Sequence, residues 1–468
     1  MLPLAMPKIQ TVNPSTGKII ATYEALTPEE VSRKVKAARE AFAGWKKRDI
    51  GERADYMRRL GRVMRKNRED YARLVTEEMG KPIRQSLAEI EKCTWVCDYF
   101  AEHAEVFLRD ELIPTEFRKS FVSFEPLGVV ASIMPWNFPF WQVMRFAVPA
   151  LTAGNVGVLK HSSICLGSAV KLEQAFVDAG FPENVFQAVI GDYKAGEALV
   201  QADIDAVSVT GSVSTGRRVA ELASQDLKKF VLELGGSDPF IVLEDADLNQ
   251  TAHMATQSRL LNTGQSCIAA KRFIVVRDVA DRFTRLFIEN TLAEVMGDPL
   301  DPKTTVGPLV RGGQRESLAR QVNDAKHKGG RVLTGGKAVP GEGYFYEPTI
   351  ISDVNHTMDV LKEEVFGPAA PIIVVNDEDE AVTEANNSEF GLGASLWTNN
   401  IERGMRLARQ IDSGIVSVNE MVRSDPRLPF GGIKKSGIGR ELSEIGIKEF
   451  VNIKSIVVKD ITSKLLVE

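Results

Sequence analysis

Two spacings of apolar residues divide this chain. Between Thr27 and about Leu108 they recur every three or four positions, as on one face of a helix; Val31, Val35, Ala38 and Phe42 share such a face. Thr27-Pro28-Glu29-Glu30 predicts the start of the first helix, with a capping box and a proline at its first position. The Arg- and Lys-rich helices that follow carry interspersed acids, which reads as a solvated face. From Gly128 the pattern changes to short, near-continuous apolar runs: Val129–Ile133, Val156–Leu159, Phe186–Ile190, Ala206–Val209 and Phe230–Leu234. Strands covered on both faces read this way, and their alternation with helical patterns predicts βαβ units in a doubly wound parallel sheet. A second alternating block runs from Pro239 to about Val418, with strands expected at Phe240–Leu243, Phe273–Val276, Pro371–Val375 and Ile415–Val418. It reads as a separate α/β domain. The short boundary at Gly235-Gly236 leaves a narrow cleft between the two, a favoured place for a ligand. Residues 109–127 and the tail from Phe450 to Val458 are amphipathic and strand-like, and predict exposed edges that seek a partner chain.

Composition narrows the function more than the fold. A chain of 468 residues implies two or three domains. A net charge of -5 gives no electrostatic reason to expect nucleic acid or an anionic membrane as partner. No apolar run approaches the roughly 18 residues of a membrane span. The N-terminus lacks a charged region followed by an apolar core, so a cytoplasmic, unanchored protein is expected. The cysteines stand at 93, 97, 165 and 267 without a CxxC pair, and the five histidines do not gather near them. No metal site is expected, and Cys93 and Cys97 read as core-facing thiols on one helix face. So few cysteines suit a reducing compartment.

Three segments carry candidate chemistry. Cys267 follows Gly264-Gln265-Ser266, where the backbone can turn tightly. If the residues after it begin a helix, its positive end would lower the thiol pKa. Glu233 is the one acid in the strand Phe230–Leu234; burial would raise its pKa and suit it to act as a general base. Asn137 lies between Pro135 and Pro139, whose fixed backbone angles hold an amide donor rigidly, as an oxyanion site requires.

Together these segments resemble the aldehyde dehydrogenase superfamily, from Asn13-Pro14-Ser15-Thr16-Gly17 to the tail. The resemblance includes Met79-Gly80-Lys81-Pro82, Pro135-Trp136-Asn137-Phe138-Pro139, Leu159-Lys160, Thr210-Gly211-Ser212, Glu233-Leu234-Gly235-Gly236, Gly264-Gln265-Ser266-Cys267, Glu363-Glu364-Val365-Phe366-Gly367-Pro368 and Pro429-Phe430-Gly431-Gly432. It implies a Rossmann-like cofactor domain (residues 1–108 and 128–234), a second α/β catalytic domain (235–447) and a small β oligomerisation arm (109–127 and 448–468). It also implies that Cys267 attacks an aldehyde, that Asn137 and the Cys267 N–H hold the oxyanion, and that Glu233 activates the water that hydrolyses the thioester. With Glu233 present, free acid rather than a coenzyme A ester is the expected product.

For the cofactor the resemblance implies NADP or NAD. Gly211 and Ser212 would open a helix at the pyrophosphate. Gly191 would line the adenosine end, Ile133 and Trp136 the cleft, and Lys160 would reach the adenosine ribose. Glu364 would bind the nicotinamide ribose, with Phe366 beside the ring. The Gly211–Gly216 segment lacks the Lys-Ser/Thr of a P-loop; Arg217 and Arg218 stand there instead, which excludes an ATPase reading. Many NAD-preferring relatives place glutamate where this chain has Ser163. Serine can donate to a 2'-phosphate that glutamate would repel, so NADP is expected to be preferred.

Phe138–Arg145, Gln265–Phe273 and Ser424–Gly432 resemble the succinate-semialdehyde branch in particular. By that resemblance Arg145 and Ser424 bind a distal carboxylate at the mouth, with Trp141 and Gln142 lining the approach. Ser266 and Ile268 flank Cys267, which excludes a vicinal disulfide. The tail strand is expected to extend a neighbouring subunit's sheet in a homodimer or homotetramer. A broader aldehyde or semialdehyde specificity is the alternative, and a non-catalytic protein on the same fold a remote one.

Overall fold

The computed structural model describes residues 8–460; residues 1–7 and 461–468, at the ends of the expected cofactor domain and arm, lie outside the described residues. The first sheet has six strands. Five are parallel, in the spatial order Lys229–Glu233, Ala206–Thr210, Val129–Met134, Val156–His161, Phe186–Val189. These are the five apolar runs of the sequence, and their central residues are wholly buried because helices cover both faces. The sixth strand, Gly437–Ile438, pairs antiparallel with Glu233 and Leu232. It returns from the far end of the chain, and Phe430, Leu442, Ile447 and Phe450 pack into the first core. The expected boundary, which gave residues 235–447 to the second domain, is therefore corrected at its C-terminal end.

The second sheet has seven strands, with Asp238–Val242 and Ala270–Val276 at its centre beside Ala369–Val375, Gly393–Trp397 and Ile415–Val418. Its other edge is an antiparallel pair, Arg331–Thr334 and Thr349–Ser352, which the apolar pattern does not predict. Gly393–Trp397 also escapes the pattern, because glycine, alanine and serine interrupt its apolar run. The tail Val451–Val458 pairs residue for residue with Lys119–Pro126, joined by Glu111–Leu112, in a separate three-stranded sheet. Among the described residues the tail is the edge strand of this sheet, with no strand paired to its second edge.

Helix Pro28–Trp45 starts at the Thr27 capping box, with Thr27 Oγ1 accepting from the Glu30 N–H and Glu30 from the Thr27 N–H. Helix Ile83–Phe107 carries Cys93 and Cys97, both fully buried, as expected. Its Glu89 has a less local task. Helix Trp141–Thr152 has no side-chain cap of its own. Glu89 supplies one from outside: its Oε1 accepts the N–H groups of Phe140 at 2.9 Å and Trp141 at 3.0 Å. Its other oxygen pairs with the buried Lys81 ammonium, which also lies 3.7 Å from the centre of the Phe138 ring. The Met79–Pro82 motif thus fixes the segment that carries Asn137 and Gln142. His161, at the end of its strand, supports the same segment. Its Nε2 donates to the Pro139 carbonyl at 2.9 Å while Nδ1 accepts from the Ser162 N–H, so the ring is neutral, and burial pushes its pKa down to about 4.

Removing one partner of a buried pair leaves the other charge uncompensated and costs about 3–5 kcal/mol. Glu89→Gln should lower the thermal unfolding midpoint by at least roughly 5 °C. Glu91→Gln, on the same helix but in an exposed pair with Arg68, should shift it by no more than about 1 °C. Scanning calorimetry or fluorimetry checks both.

Candidate active site

A cavity of about 710 Å³ opens between the two sheets at the C-terminal ends of the first sheet's strands. Of the residues singled out from sequence, Ile133, Trp136, Asn137, Gln142, Lys160, Gly211, Ser212, Cys267, Glu364 and Phe366 line it. Arg218 lines it too, as do Tyr193, Glu197 and Gln314, which nothing in their local sequence marks.

Cys267 sits in an unusual turn. Helix Leu248–Leu260 ends just before it, and Asn262 and Thr263 take positive φ values of 52° and 57°. Two buried side chains stabilise this strained bend. Asn262 Nδ2 donates to the carbonyls of Asn137 and Gln265, and Arg259 donates to the carbonyls of Gly264 and Ala270. Gly264 is obligatory, since a Cβ there would lie 2.3 Å from the Gly367 carbonyl. No helix begins after Cys267; the chain enters the central strand Ala270–Val276, whose β-branched run suits a buried parallel position. The expected helix-dipole effect on the thiol is therefore absent. Burial instead pushes the thiol up to about 12, opposed by the cations of Lys271 and Arg145. Lys271 donates to the carbonyls of Ser266 at 2.9 Å and Cys267 at 2.6 Å, and lies 3.6 Å from the Glu364 carboxylate. In this state the thiol is protonated at neutral pH and must lose a proton as it attacks.

Asn137 and Cys267 are brought together. Asn137 Nδ2 donates to the Gln265 carbonyl at 3.1 Å, two residues before the thiol, and its Oδ1 accepts from Gln142 Nε2 at 3.0 Å. The amide orientation is thereby fixed, with one N–H left over. Among the described residues the Cys267 N–H has no hydrogen-bond acceptor.

Glu233 lies behind the cavity wall, 2 % exposed, with neither carboxylate oxygen hydrogen-bonded among the described residues. Burial raises its pKa well above the ordinary value, Glu441 adds to this, and Arg145 and Arg440 oppose it. Space for it depends on Gly431, where a Cβ would stand 2.5 Å from Glu233 Oε1.

Arg145 departs from expectation. It is buried rather than placed at a mouth: its Nε pairs with Glu441, Nη2 donates to Thr210 Oγ1 at 3.2 Å, and its guanidinium lies 4.4 Å from the centre of the Phe430 ring. Its charge is already matched. Ser424 and Trp141 do meet, through an indole N–H donated to the hydroxyl at 3.1 Å.

The cavity suits an elongated dinucleotide. Helix Val213–Gln225 points its N-terminus into it, capped by Ser212, which accepts from the Thr215 N–H. Gly216 lets this helix approach Leu234, where a Cβ would come within 2.6 Å. Lys160 lines the wall near Gly196. Glu364 accepts from the Gly236 N–H at 3.0 Å in a recess kept open by Gly235, where a Cβ would sit 2.4 Å from its carboxylate. Trp136 and Phe366 meet edge to face with ring centres 5.7 Å apart. Two expected contributors are not among the lining residues. Gly191 does not line the cavity but permits the close start of helix Tyr193–Gln201, since a Cβ would meet Ala195 at 2.4 Å. Ser162 lines the wall and Ser163 is its neighbour.

Comparisons with known proteins identify relatives of the whole chain. The profile of the aldehyde dehydrogenase family matches residues 4–456. The chain is 44% identical over 449 residues to a probable NADP(+) succinate-semialdehyde dehydrogenase of Synechocystis, covering 96% of this chain and 99% of that one. It is 41% identical to an Escherichia coli succinate semialdehyde dehydrogenase described as using NAD(P)+, over 95% of this chain and 97% of the other. The crystal structure of the Streptococcus pyogenes succinic semialdehyde dehydrogenase with NADP+ superposes with a TM-score of 0.94 at 35% identity, covering 97% and 100% of the two chains. The chain belongs to the aldehyde dehydrogenase family.

Proposed function

We propose that this enzyme oxidises succinate semialdehyde to succinate with NADP, and with NAD less efficiently. The observation that carries the reading is that Cys267, Asn137 and Glu364 line one cavity, with a buried Glu233 behind its wall that has no hydrogen bond among the described residues. The relatives named above support the choice of aldehyde and cofactor.

The chain's own residues account for each step. The Cys267 sulfur adds to the aldehyde carbon, and its proton passes to a base. The oxygen that becomes negative takes the spare Asn137 Nδ2–H and the Cys267 N–H, donors already fixed in place and so stabilising without reorganisation. A bound nicotinamide supplies the hydride acceptor. Lys160, Ser212 and Glu364 would hold the dinucleotide, and Trp136 and Phe366 would exclude water beside the ring. Glu233 then takes a proton from the water that attacks the Cys267 thioester, and free acid leaves. Its raised pKa suits it to act as a base, whereas the neighbouring Glu441 is occupied by Arg145. The unpaired edge of the tail sheet, with Ile453 and Val457 exposed, fits pairing with a second copy in a homodimer or homotetramer.

Mixing enzyme, NADP and succinate semialdehyde should give a burst of NADPH equal to the active sites. Cys267→Ala should abolish it, and uncharged aldehydes of equal length should give a kcat/KM lower by about tenfold or more. No burst, or a preference for the uncharged aldehyde, would overturn the reading.

Ser163→Glu should shift the kcat/KM ratio from NADP towards NAD by at least about tenfold, through repulsion of the 2'-phosphate. Steady-state kinetics with both cofactors checks it, and an unchanged ratio would move discrimination away from Ser163.

A further inference from the structure

Lys92 lies on helix Ile83–Phe107, among residues whose charge pattern reads as a solvated face, yet its side chain turns inward. Its ammonium donates to Ser424 Oγ at 2.7 Å and stands 4.4 Å from the centre of the Trp141 ring. Among the described residues no carboxylate lies within 4.0 Å of it. The nearby Asp425 is already taken, since Arg427 donates to both of its oxygens, at 2.9 Å and 2.7 Å. Burial pushes the Lys92 pKa down to about 8, with Arg145 adding to this, so the group is still largely protonated at pH 7.

The hydroxyl of Ser424 points to what the ammonium is for. A serine oxygen accepts two hydrogen bonds and donates one. Lys92 and Trp141 fill both acceptor positions, at 2.7 Å and 3.1 Å. Among the described residues no acceptor receives the hydroxyl hydrogen. Lys92 likewise has two N–H groups beyond the one given to Ser424. A positive charge and two kinds of donor therefore converge without an acceptor, in an almost fully buried corner: Ser424 is 7 % exposed and Trp141 4 %. The corner adjoins the cavity residue Gln142. Trp141 precedes Gln142, which orients Asn137, and Arg145 is close enough to act electrostatically on both Lys92 and Cys267.

We propose that Lys92, with the Ser424 hydroxyl, receives the distal carboxylate of the aldehyde substrate and sets the preference for it. This rests on the reading that the substrate carries such a carboxylate. Arg145 serves as the neutralised partner of Glu441 instead. An Arg145 that turned to substrate would strand Glu441 as a buried, unpaired charge, whereas Lys92 gains a counter-ion it lacks.

Lys92→Met keeps the length of the side chain and removes the charge. It should raise KM for succinate semialdehyde at least about tenfold with kcat little changed, while KM for butanal changes less than about threefold. Succinate, as a competitive inhibitor, should weaken in parallel. Lys92→Arg should recover much of the loss, and serves as the test should the methionine variant fail to fold. Equal effects on both aldehydes, or an unchanged KM for succinate semialdehyde in an enzyme that prefers it to butanal, would overturn the assignment of Lys92. A wild-type enzyme with no preference for the carboxylated aldehyde would instead overturn the substrate reading.

Discussion

The arrangement depends on one buried carboxylate that is deliberately left unsatisfied. Glu233 ends the edge-proximal parallel strand of the first sheet, with both oxygens buried and free of hydrogen bonds among the described residues. An isolated ionised carboxylate there would be costly, so the group holds a proton more readily than a surface acid does. Most of the neighbouring structure keeps it so. Gly431 leaves the space it needs, and Gly437 closes the strand edge against it, where a Cβ would meet the Leu232 carbonyl at 1.9 Å. Of the nearby Arg145–Glu441 pair, the Glu441 anion pushes the pKa up further and the Arg145 cation opposes it.

That constraint explains why the segment 430–450 returns to the first domain. The segment from Phe430 to Phe450 supplies Gly431, Gly437, Glu441 and part of the first core. Glu233, the arginine beside it and the glycines that make room come from three distant stretches of sequence. A similar economy governs the other side of the site, where Glu89 caps the helix bearing Gln142 and Arg145 and His161 holds the Asn137 loop. Neither side chain lines the cavity itself. Rigid placement of the donors follows from these supports, and oxyanion stabilisation depends on such rigidity.

What was legible from sequence is local. The five apolar runs became the five parallel strands, because a strand covered on both faces must be apolar throughout. The acid in Phe230–Leu234 and the Asn137 between prolines were recognisable because each breaks or fixes a local pattern. What was not legible is pairing across the fold. Arg145 reads as a free cation until Glu441, nearly three hundred residues later, is placed against it. Lys92 reads as surface because helical periodicity assigns a face but cannot show that Ser424 and Trp141 cover it. The segment after Cys267 is too short and too mixed for periodicity to choose between helix and strand, and tertiary position in the second sheet decided it.

The central claim, that an unbonded Glu233 completes the reaction by activating water at the Cys267 thioester, is tested most directly by following hydrolysis of the acyl-enzyme itself across pH. Rapid quench with mass analysis of the Cys267 peptide would measure it. A base must be deprotonated to act, so the wild-type hydrolysis rate should rise with pH along one ionisation whose midpoint lies above the ordinary value of 4.5. In Glu233→Gln that limb should vanish, the rate should fall at least about a hundredfold, and acyl group should accumulate on Cys267. Hydrolysis in Glu233→Gln at the wild-type rate, or a wild-type midpoint in the ordinary carboxylate range, would contradict the account.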